Sequence, residues 1–397
     1  MNTELEKSSP DMSLQSENLN PQEELLLDQI RKQKDEMFEG IFQIVSIPSE
    51  RGVPQDGAPY GKEVRKALDA VMDLAEEMGF QTKIIDDQVG IVQYGGNIDH
   101  TDRYLGIMGH LDVVEAKNQE GWISDPYQPQ IRDGRIYARG ILDNKGPVLS
   151  CLYGLKAIKD LGIAPALPIR ILFGTNEETG MEDVPAYLAK EAAPTAGFTP
   201  DCKYPVVYAE RGRAQIIVRF EQTEDLIDWT NTYFLSNQGI EKAMDLDIRD
   251  PEFGTLQIRN CHIDQREAGF AVSYPPCIST RQILEKVRAT AIRTKGKAEL
   301  VSDWKPVFFE KDGGLCRILQ SAYEDCTGLD GTPVPTTGGT YAKRLGGIVP
   351  FGPSFPGQKG IAHLPNEWMD VKDLEKNAEI YGLAIYRLGR KDCWNND

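Results

Sequence analysis

A small set of imidazole and carboxylate side chains in this chain adjoins apolar segments. Only four histidines occur in the 397 residues, and two of them belong to this set. Imidazole nitrogen and carboxylate oxygen are ligands that hold divalent zinc in proteins. The residue types and their settings therefore predict a hydrolase with a binuclear metal site. The set comprises His110, Asp112, Asp143, Glu177, Glu178, Asp201 and His363.

Apolar segments next to these side chains predict the strands that position them. Three short runs are almost continuously apolar, as expected for strands of a sheet that is covered on both faces. His110 follows the first run, and Asp201 precedes the third. Glu177 and Glu178 follow the second. Functional groups collect at the carboxyl ends of the strands in an open α/β sheet, so we expect one shared crevice. The runs cover residues 104–108, 169–173 and 205–209.

The spacing of these residues suggests which of them binds metal, which orients a ligand and which acts as general base. Residues two apart in an extended segment share a face, so Asp112 can accept the proton of the second ring nitrogen of His110. The two oxygens of Asp143 can bridge a pair of cations, which offsets the repulsion between them. Of the adjacent Glu177 and Glu178, one can bind metal while the other acts as general base.

Each residue also has a simpler interpretation. A single histidine after a strand, such as His110 or His363, is more often packed or exposed than bound to metal. The Glu177 and Glu178 pair can belong to a solvated turn, and Asp201 can cap one. Only the combination of these residues favours the metal site.

Composition limits the possible partners. The net charge of −17, from 61 acidic and 44 basic residues, argues against binding nucleic acid and favours a small molecule or peptide. No apolar stretch reaches the roughly 18 residues of a membrane helix, and the first residues lack the features of a secretion signal. Seven dispersed cysteines suit a reducing compartment. We therefore expect a cytoplasmic protein without a membrane partner.

The order of the predicted helices and strands indicates two domains after a mobile tail at residues 1–20. Amphipathic helices are expected at about 22–45 and 60–78. An α/β domain made of residues 21–212 and 306–397 would carry the metal site. Residues 213–305 follow the strand, helix, strand, strand, helix, strand order of a ferredoxin-like domain.

The sequence also predicts the positions of the two helices in this inserted segment. Its first helix is expected at about 223–236. Its second opens with Ser279 and Gln282 at the spacing of a capping box.

Eight motifs together carry a resemblance to a known family. They occur in the same order along the chain and span most of the predicted metal-binding domain. The chain resembles the dinuclear zinc amidohydrolases that include acetylornithine deacetylase, succinyl-diaminopimelate desuccinylase, carnosinase and carboxypeptidase G, and above all the Xaa-His dipeptidases of the PepV type. The motifs lie at residues 109–114, 121–122, 125–127, 138–147, 174–180, 197–201, 338–341 and 362–367.

The resemblance implies a fold and a role for each residue. The fold is a three-layer α/β/α zinc-peptidase domain with a smaller ferredoxin-like lid. Two divalent ions are expected, zinc first, with manganese or cobalt as alternatives. Asp112 would orient a ligand, Glu177 would be the general base, and the Asp143–Asn144 peptide would be cis. One ion would bind His110, Asp143 and Asp201, and the other Asp143, Glu178 and His363. The substrate backbone would contact Gly338, Gly339 and Thr340.

The lid departs from the family pattern in two places. It has no histidine after its first strand to donate to the oxyanion, and Ser273 stands where an arginine usually precedes Tyr-Pro. The lid is also shorter than in PepV-type enzymes. Loss of one oxyanion donor typically lowers turnover by about 10²–10³.

Three functions therefore stay open. A dipeptidase leads, and an N-acyl amino acid deacylase is the first alternative. A metal-binding homologue with weak or lost activity is the second. A lid of this type often pairs with another copy, so a homodimer is possible.

Overall fold

The computed structural model describes residues 19–390. The tail expected at residues 1–20 therefore lies almost entirely outside the described residues, as does Cys393. The helices are α1 (Pro21–Lys32), α2 (Lys34–Val45), α3 (Lys62–Glu77), α4 (Lys145–Asp160), α5 (Asp183–Leu188), α6 (Thr223–Trp229), α7 (Ile240–Ala243), α8 (Thr280–Arg293), α9 (Gly314–Thr327), α10 (Ala342–Leu345) and α11 (Val371–Arg390).

The strands form one large sheet and several small ones. They are β1 (Gln81–Ile85), β2 (Val89–Tyr94), β3 (Leu105–His110), β4 (Gln130–Arg132), β5 (Arg135–Tyr137), β6 (Ile169–Gly174), β7 (Ala196–Thr199), β8 (Val207–Glu210), β9 (Gly212–Arg219), β10 (Arg249–Asp250), β11 (Gly254–Thr255), β12 (Gln257–Asp264), β13 (Glu267–Tyr274), β14 (Lys297–Trp304), β15 (Val307–Phe308), β16 (Val334–Thr336), β17 (Ile348–Pro350) and β18 (Trp368–Asp370).

The largest sheet has six strands in the order β1-β2-β6-β3-β7-β17. The neighbours β6, β3, β7 and β17 run parallel, whereas β2 is antiparallel to both β1 and β6. The carboxyl ends of the four parallel strands therefore meet at one edge of the sheet.

Helices cover both faces of this sheet. Ile107 and Ile171 point into an apolar cluster with α4 and α11, and α1, α2 and α3 pack in the same layer. Their neighbours Met108 and Leu172 point to the other face, where they pack with α5 and α10. Successive strand residues face opposite sides, so the continuous apolar runs supply both layers. The three-layer α/β architecture expected from the sequence is confirmed.

The inserted segment carries an antiparallel sheet in the order β12-β13-β9-β14, which is the ferredoxin-like arrangement. Its apolar residues form a cluster of their own with α6 and α8. The predicted capping box is present at the start of α8. The Ser279 hydroxyl accepts from the Gln282 amide at 3.3 Å, and the Gln282 side chain accepts from the Ser279 amide at 2.9 Å.

Two predicted helices are interrupted. The helix expected at 22–45 is broken at Gln33, because α1 packs against α11 while α2 packs against α4, and the chain changes direction between them. In the inserted segment, the helix expected at 223–236 is α-helical only to Trp229 and continues as a π-helical turn, Thr230–Phe234.

The third apolar run was assigned to the wrong sheet. It forms β8, which pairs with β15 and β16 in a separate three-stranded sheet. The main sheet instead contains β7, a strand of only four residues that was not predicted. Asp201 is therefore positioned by the strand before it and not by the one after it.

Two further findings concern the cysteines and the helices. The six cysteines within residues 19–390 are all free thiols. Over the same range, no helix combines the length and apolarity that crossing a membrane requires.

Candidate metal centre

The predicted residues converge on the carboxyl edge of the large sheet. His110 is the last residue of β3, and Asp201 lies just beyond β7. Glu177 and Glu178 occupy the loop after β6. Asp143 lies two residues before α4. The parallel strands thus bring together side chains that are far apart in sequence, as the sequence predicted.

Asp143 stands at the centre of this group. Its Oδ1 lies 3.0 Å from Nε2 of His110, and its Oδ2 lies 3.0 Å from Nε2 of His363. Glu178 Oε1 is 3.0 Å from the same nitrogen of His363. Asp201 Oδ2 is 3.9 Å from Nε2 of His110. Each oxygen of one carboxylate therefore faces a different histidine, which is the arrangement of a bridging ligand.

Two overlapping sets of donor atoms, both of which include His110, are compact enough to hold a cation. His110, Glu177 and Asp201 can offer ligand atoms within 4.8 Å of one another, as can His110, Asp143 and Glu178. Mixed imidazole and carboxylate sets of this kind suit a divalent transition metal.

Asp112 contacts His110 through a different atom from the one expected. The backbone carbonyl of Asp112 lies 2.8 Å from Nδ1 of His110, whereas the carboxylate Oδ1 is 3.5 Å away. The carboxylate instead accepts the backbone amides of Glu177 at 3.1 Å and Glu178 at 3.0 Å. Asp112 thus fixes the loop after β6 as well as the imidazole.

Asn144 is a positioning residue that sequence reasoning missed. Its Oδ1 accepts the His110 amide at 3.2 Å, and its Nδ2 donates to the Pro200 carbonyl at 2.6 Å. It therefore connects the end of β3, the loop after β7 and the start of α4. The Asp143–Asn144 peptide is cis, as the family resemblance implied.

A protein family model matches the part of the chain that contains these residues. The model for peptidase family M20/M25/M40 matches residues 106–387. The chain belongs to this family. As an M20 peptidase, it is a metallopeptidase.

Curated relatives of this M20 peptidase carry dipeptidase names. The Bacillus subtilis (strain 168) protein "Putative dipeptidase YtjP" is 26% identical over 437 residues, covering 84% of this chain and 92% of the relative. A "Putative dipeptidase" of Staphylococcus epidermidis is 25% identical over 462 residues, covering 90% and 97%. The relatives support a peptide hydrolase.

Solved structures share the fold of the M20 peptidase. Human carnosine dipeptidase 1 matches with a TM-score of 0.70 at 16% identity, covering 93% of this chain and 99% of that one. The Saccharomyces cerevisiae dipeptidase Dug1p gives a TM-score of 0.68 at 15% identity, with the same coverage. Both matches extend over the inserted lid as well as the metal-binding body.

Glu367 is a second positioning residue in the M20 peptidase that the sequence did not single out. Its Oε1 accepts the backbone amides of Gly140, Leu142 and Asp143 at 3.0, 2.9 and 3.1 Å. Its Oε2 accepts from Arg139 at 2.7 Å, and both side chains are buried. One carboxylate therefore sets the path of the loop that carries Asp143.

The network around Glu367 also reaches the second histidine. Arg139 Nη2 donates to Gln119 Oε1 at 2.8 Å, and Gln119 Nε2 donates to the carbonyl of His363 at 3.2 Å. A continuous chain of hydrogen bonds thus joins the loops of Asp143 and His363, which approach each other from distant parts of the sequence.

Burial and crowding disfavour the ionised acids. Burial raises the pKa of Asp201 to about 8, and the charge of Asp143 adds to this. Burial also raises the pKa of Glu177, with Asp201 contributing. For Asp143, burial would raise the pKa, but hydrogen bonds from His110 and His363 lower it below its usual range. A bound divalent cation stabilises such crowded carboxylates in their charged form, so the donor set fits a metal.

A cleft of about 510 Å³ separates the centre from the lid. Glu177 and His363 line one side, and the lid residues Arg213 and Trp304 line the other. Gly339 lies along the same cleft. A small peptide placed here would contact both the acids and the lid sheet.

The predicted glycine loop lies partly along this space. Gly338 and Gly339 line an adjoining cavity. Thr340 is buried behind the loop, where its hydroxyl donates to Glu210 at 2.8 Å. The structure therefore gives Thr340 a contact with Glu210, while the two glycines face the cavity.

Proposed function

We propose that this M20 peptidase is a dipeptidase with two divalent cations held by the residues around Asp143, and that the cations are zinc ions. The observation that carries the proposal is the pair of 3.0 Å separations from the two Asp143 oxygens to His110 and His363. In the proposed assignment, Asp201 completes the set around His110, and Glu178 completes the set around His363.

Glu177 is the proposed general base. It lines the cleft next to the bridging group, and the Asp112 carboxylate holds its backbone amide at 3.1 Å. The raised pKa of Glu177, caused mainly by burial, favours taking a proton and then releasing it. When bound, the cations polarise the scissile carbonyl and acidify the attacking water. Glu177 takes the proton of that water and passes it to the leaving amine.

Metal content and hydrolysis test the proposal together. We expect about two zinc ions per reconstituted chain, measured by elemental analysis, and turnover of unblocked dipeptides. Glu177→Gln is expected to keep both ions and lose about 10²–10⁴ of turnover, the usual contribution of a general base. A chain that binds no ion, or a variant as active as the parent, would refute the assignment.

The same assay separates the alternatives. Faster turnover of N-blocked than unblocked substrates would identify an N-acyl amino acid deacylase. Bound metal without any hydrolysis would identify a metal-binding homologue. The dipeptidase names of the relatives favour the dipeptidase over these two alternatives.

A further inference from the structure

A second cavity opens from the cleft beneath the lid. It has a volume of about 250 Å³ and shares Arg213, Trp304 and Gly339 with the cleft. Arg211, Arg259 and Lys343 also line it. Four basic side chains in one small cavity are unexpected in a chain whose net charge is −17.

Most of this positive charge has no acidic partner. Lys343 is paired, because its Nζ lies 3.3 Å from Glu210 Oε2. Across the described part of the chain, Arg211, Arg213 and Arg259 form no ion pair with a carboxylate; they bond to carbonyl or amide oxygens or pack on an aromatic ring. Three arginines thus line one cavity, and within residues 19–390 none of them has a carboxylate at ion-pair distance.

Arg211 is fixed in place as part of the fold. Only 2% of it is exposed, and it donates to the carbonyls of Phe253 at 2.7 Å, Thr255 at 2.7 Å and Ser273 at 2.6 Å. Its Nε has no partner within residues 19–390. The nearby Asp250 is occupied by two backbone amides at 2.9 Å. Asp250 acts on Arg211 only through the longer-range attraction of its charge, and a buried cation without a close counter-charge is costly, so the site favours an anion.

The other two arginines lie on one face of the lid sheet. Arg213 on β9 pairs directly with Ser273 on β13, and Arg259 on β12 pairs with Ala271 on β13. Ala271 and Ser273 point to the same side because they are two residues apart. Val272 points to the other side, into the apolar cluster of the lid. Both guanidinium groups therefore project from the face that lines the cavity.

We infer that this cavity binds two carboxylates of the substrate, so that the preferred dipeptides carry Asp or Glu as the C-terminal residue. The inference rests on the proposed dipeptidase reaction. A dipeptide has an ammonium group at one end, which the cavity repels, and a carboxylate at the other, which it attracts. Arg213 and Arg259 provide one guanidinium for the α-carboxylate and one for the side-chain carboxylate, since such pairs form strong charge-assisted hydrogen bonds.

Isosteric substrates test the inference in the metal-loaded enzyme. We expect kcat/KM for Ala-Glu to exceed that for Ala-Gln by about tenfold or more, and Glu-Ala to show no such advantage. Arg259→Gln is expected to bring the Ala-Glu to Ala-Gln ratio close to one. Arg293→Gln removes the same charge from α8, outside the cavity, and is expected to preserve the ratio. Equal rates for Ala-Glu and Ala-Gln, or a preference for Glu-Ala, would overturn the inference.

A binding measurement keeps this test independent of turnover. Calorimetry with metal-loaded Glu177→Gln is expected to show about tenfold tighter binding of Ala-Glu than of Ala-Gln, and Arg259→Gln in that background is expected to abolish the difference. Equal affinities would reject the acidic preference even if the chain proved inactive. Preferential binding without hydrolysis by the parent chain would instead reject the proposed reaction and keep the carboxylate site.

Discussion

Side chains that need not touch metal hold the candidate centre together. Glu367→Ala would leave three backbone amides and Nη1 of the buried Arg139 without their acceptor. Removing one partner of a buried ion pair costs about 3–5 kcal/mol, so we expect a loss of that size in the free energy of unfolding. Zinc affinity should fall as well, because the Asp143 loop loses its anchor. Urea denaturation and zinc titration measure the two effects.

A surface variant provides the comparison for Glu367. Glu310 is exposed, and Glu310→Ala is expected to change stability by no more than about 0.5 kcal/mol. If Glu367→Ala matched this control in both stability and zinc affinity, the anchoring role would be wrong.

The sequence predicted which side chains would lie together better than it predicted the residues that support them. The convergence of His110 and Glu178 could be predicted because each follows an apolar run and has a side chain that can bind metal. Asn144 and Glu367 could not, since their partners are far away in sequence: Asn144 bonds to Pro200, and Glu367 to the loop before Asp143. Such contacts exist only once the chain has folded.

At the scale of elements, the apolar pattern predicted where strands occur but not which strands pair with each other. The runs that became β3 and β6 are buried on both faces, as continuous apolar segments should be. The run that became β8 is equally buried yet pairs in a different sheet. Burial alone does not encode which strand lies alongside, and β7, with four residues, was too short to show a period.

Close packing of β3 on the start of α4 yields a testable expectation. A methyl group added at Gly109 would lie 2.7 Å from Val148 Cβ and would also meet Asn144 Oδ1. Gly109→Ala should therefore cost about 1–3 kcal/mol of stability, as overpacking does, and weaken zinc binding by moving Asn144 away from His110. Thermal denaturation and zinc titration follow these changes. Adding Val148→Ala should recover part of the loss; strictly additive effects of the two changes would argue against this contact.

For the molecule as a whole, two separate apolar cores should respond differently to metal. Most apolar lid residues pack in a cluster of their own, whereas the proposed ligands belong to the domain that we predict for residues 21–212 and 306–397. Ligand binding at one hundred times its dissociation constant stabilises a fold by about 2.7 kcal/mol. We expect zinc to slow amide hydrogen exchange in β3, β6 and α4 to that extent and to leave α8 and β13 almost unchanged. If the body and the lid unfolded as a single cooperative unit, metal binding would slow exchange equally at every amide. Equal protection of the lid strands would therefore show that the proposed division at residues 213–305 does not separate two units of stability.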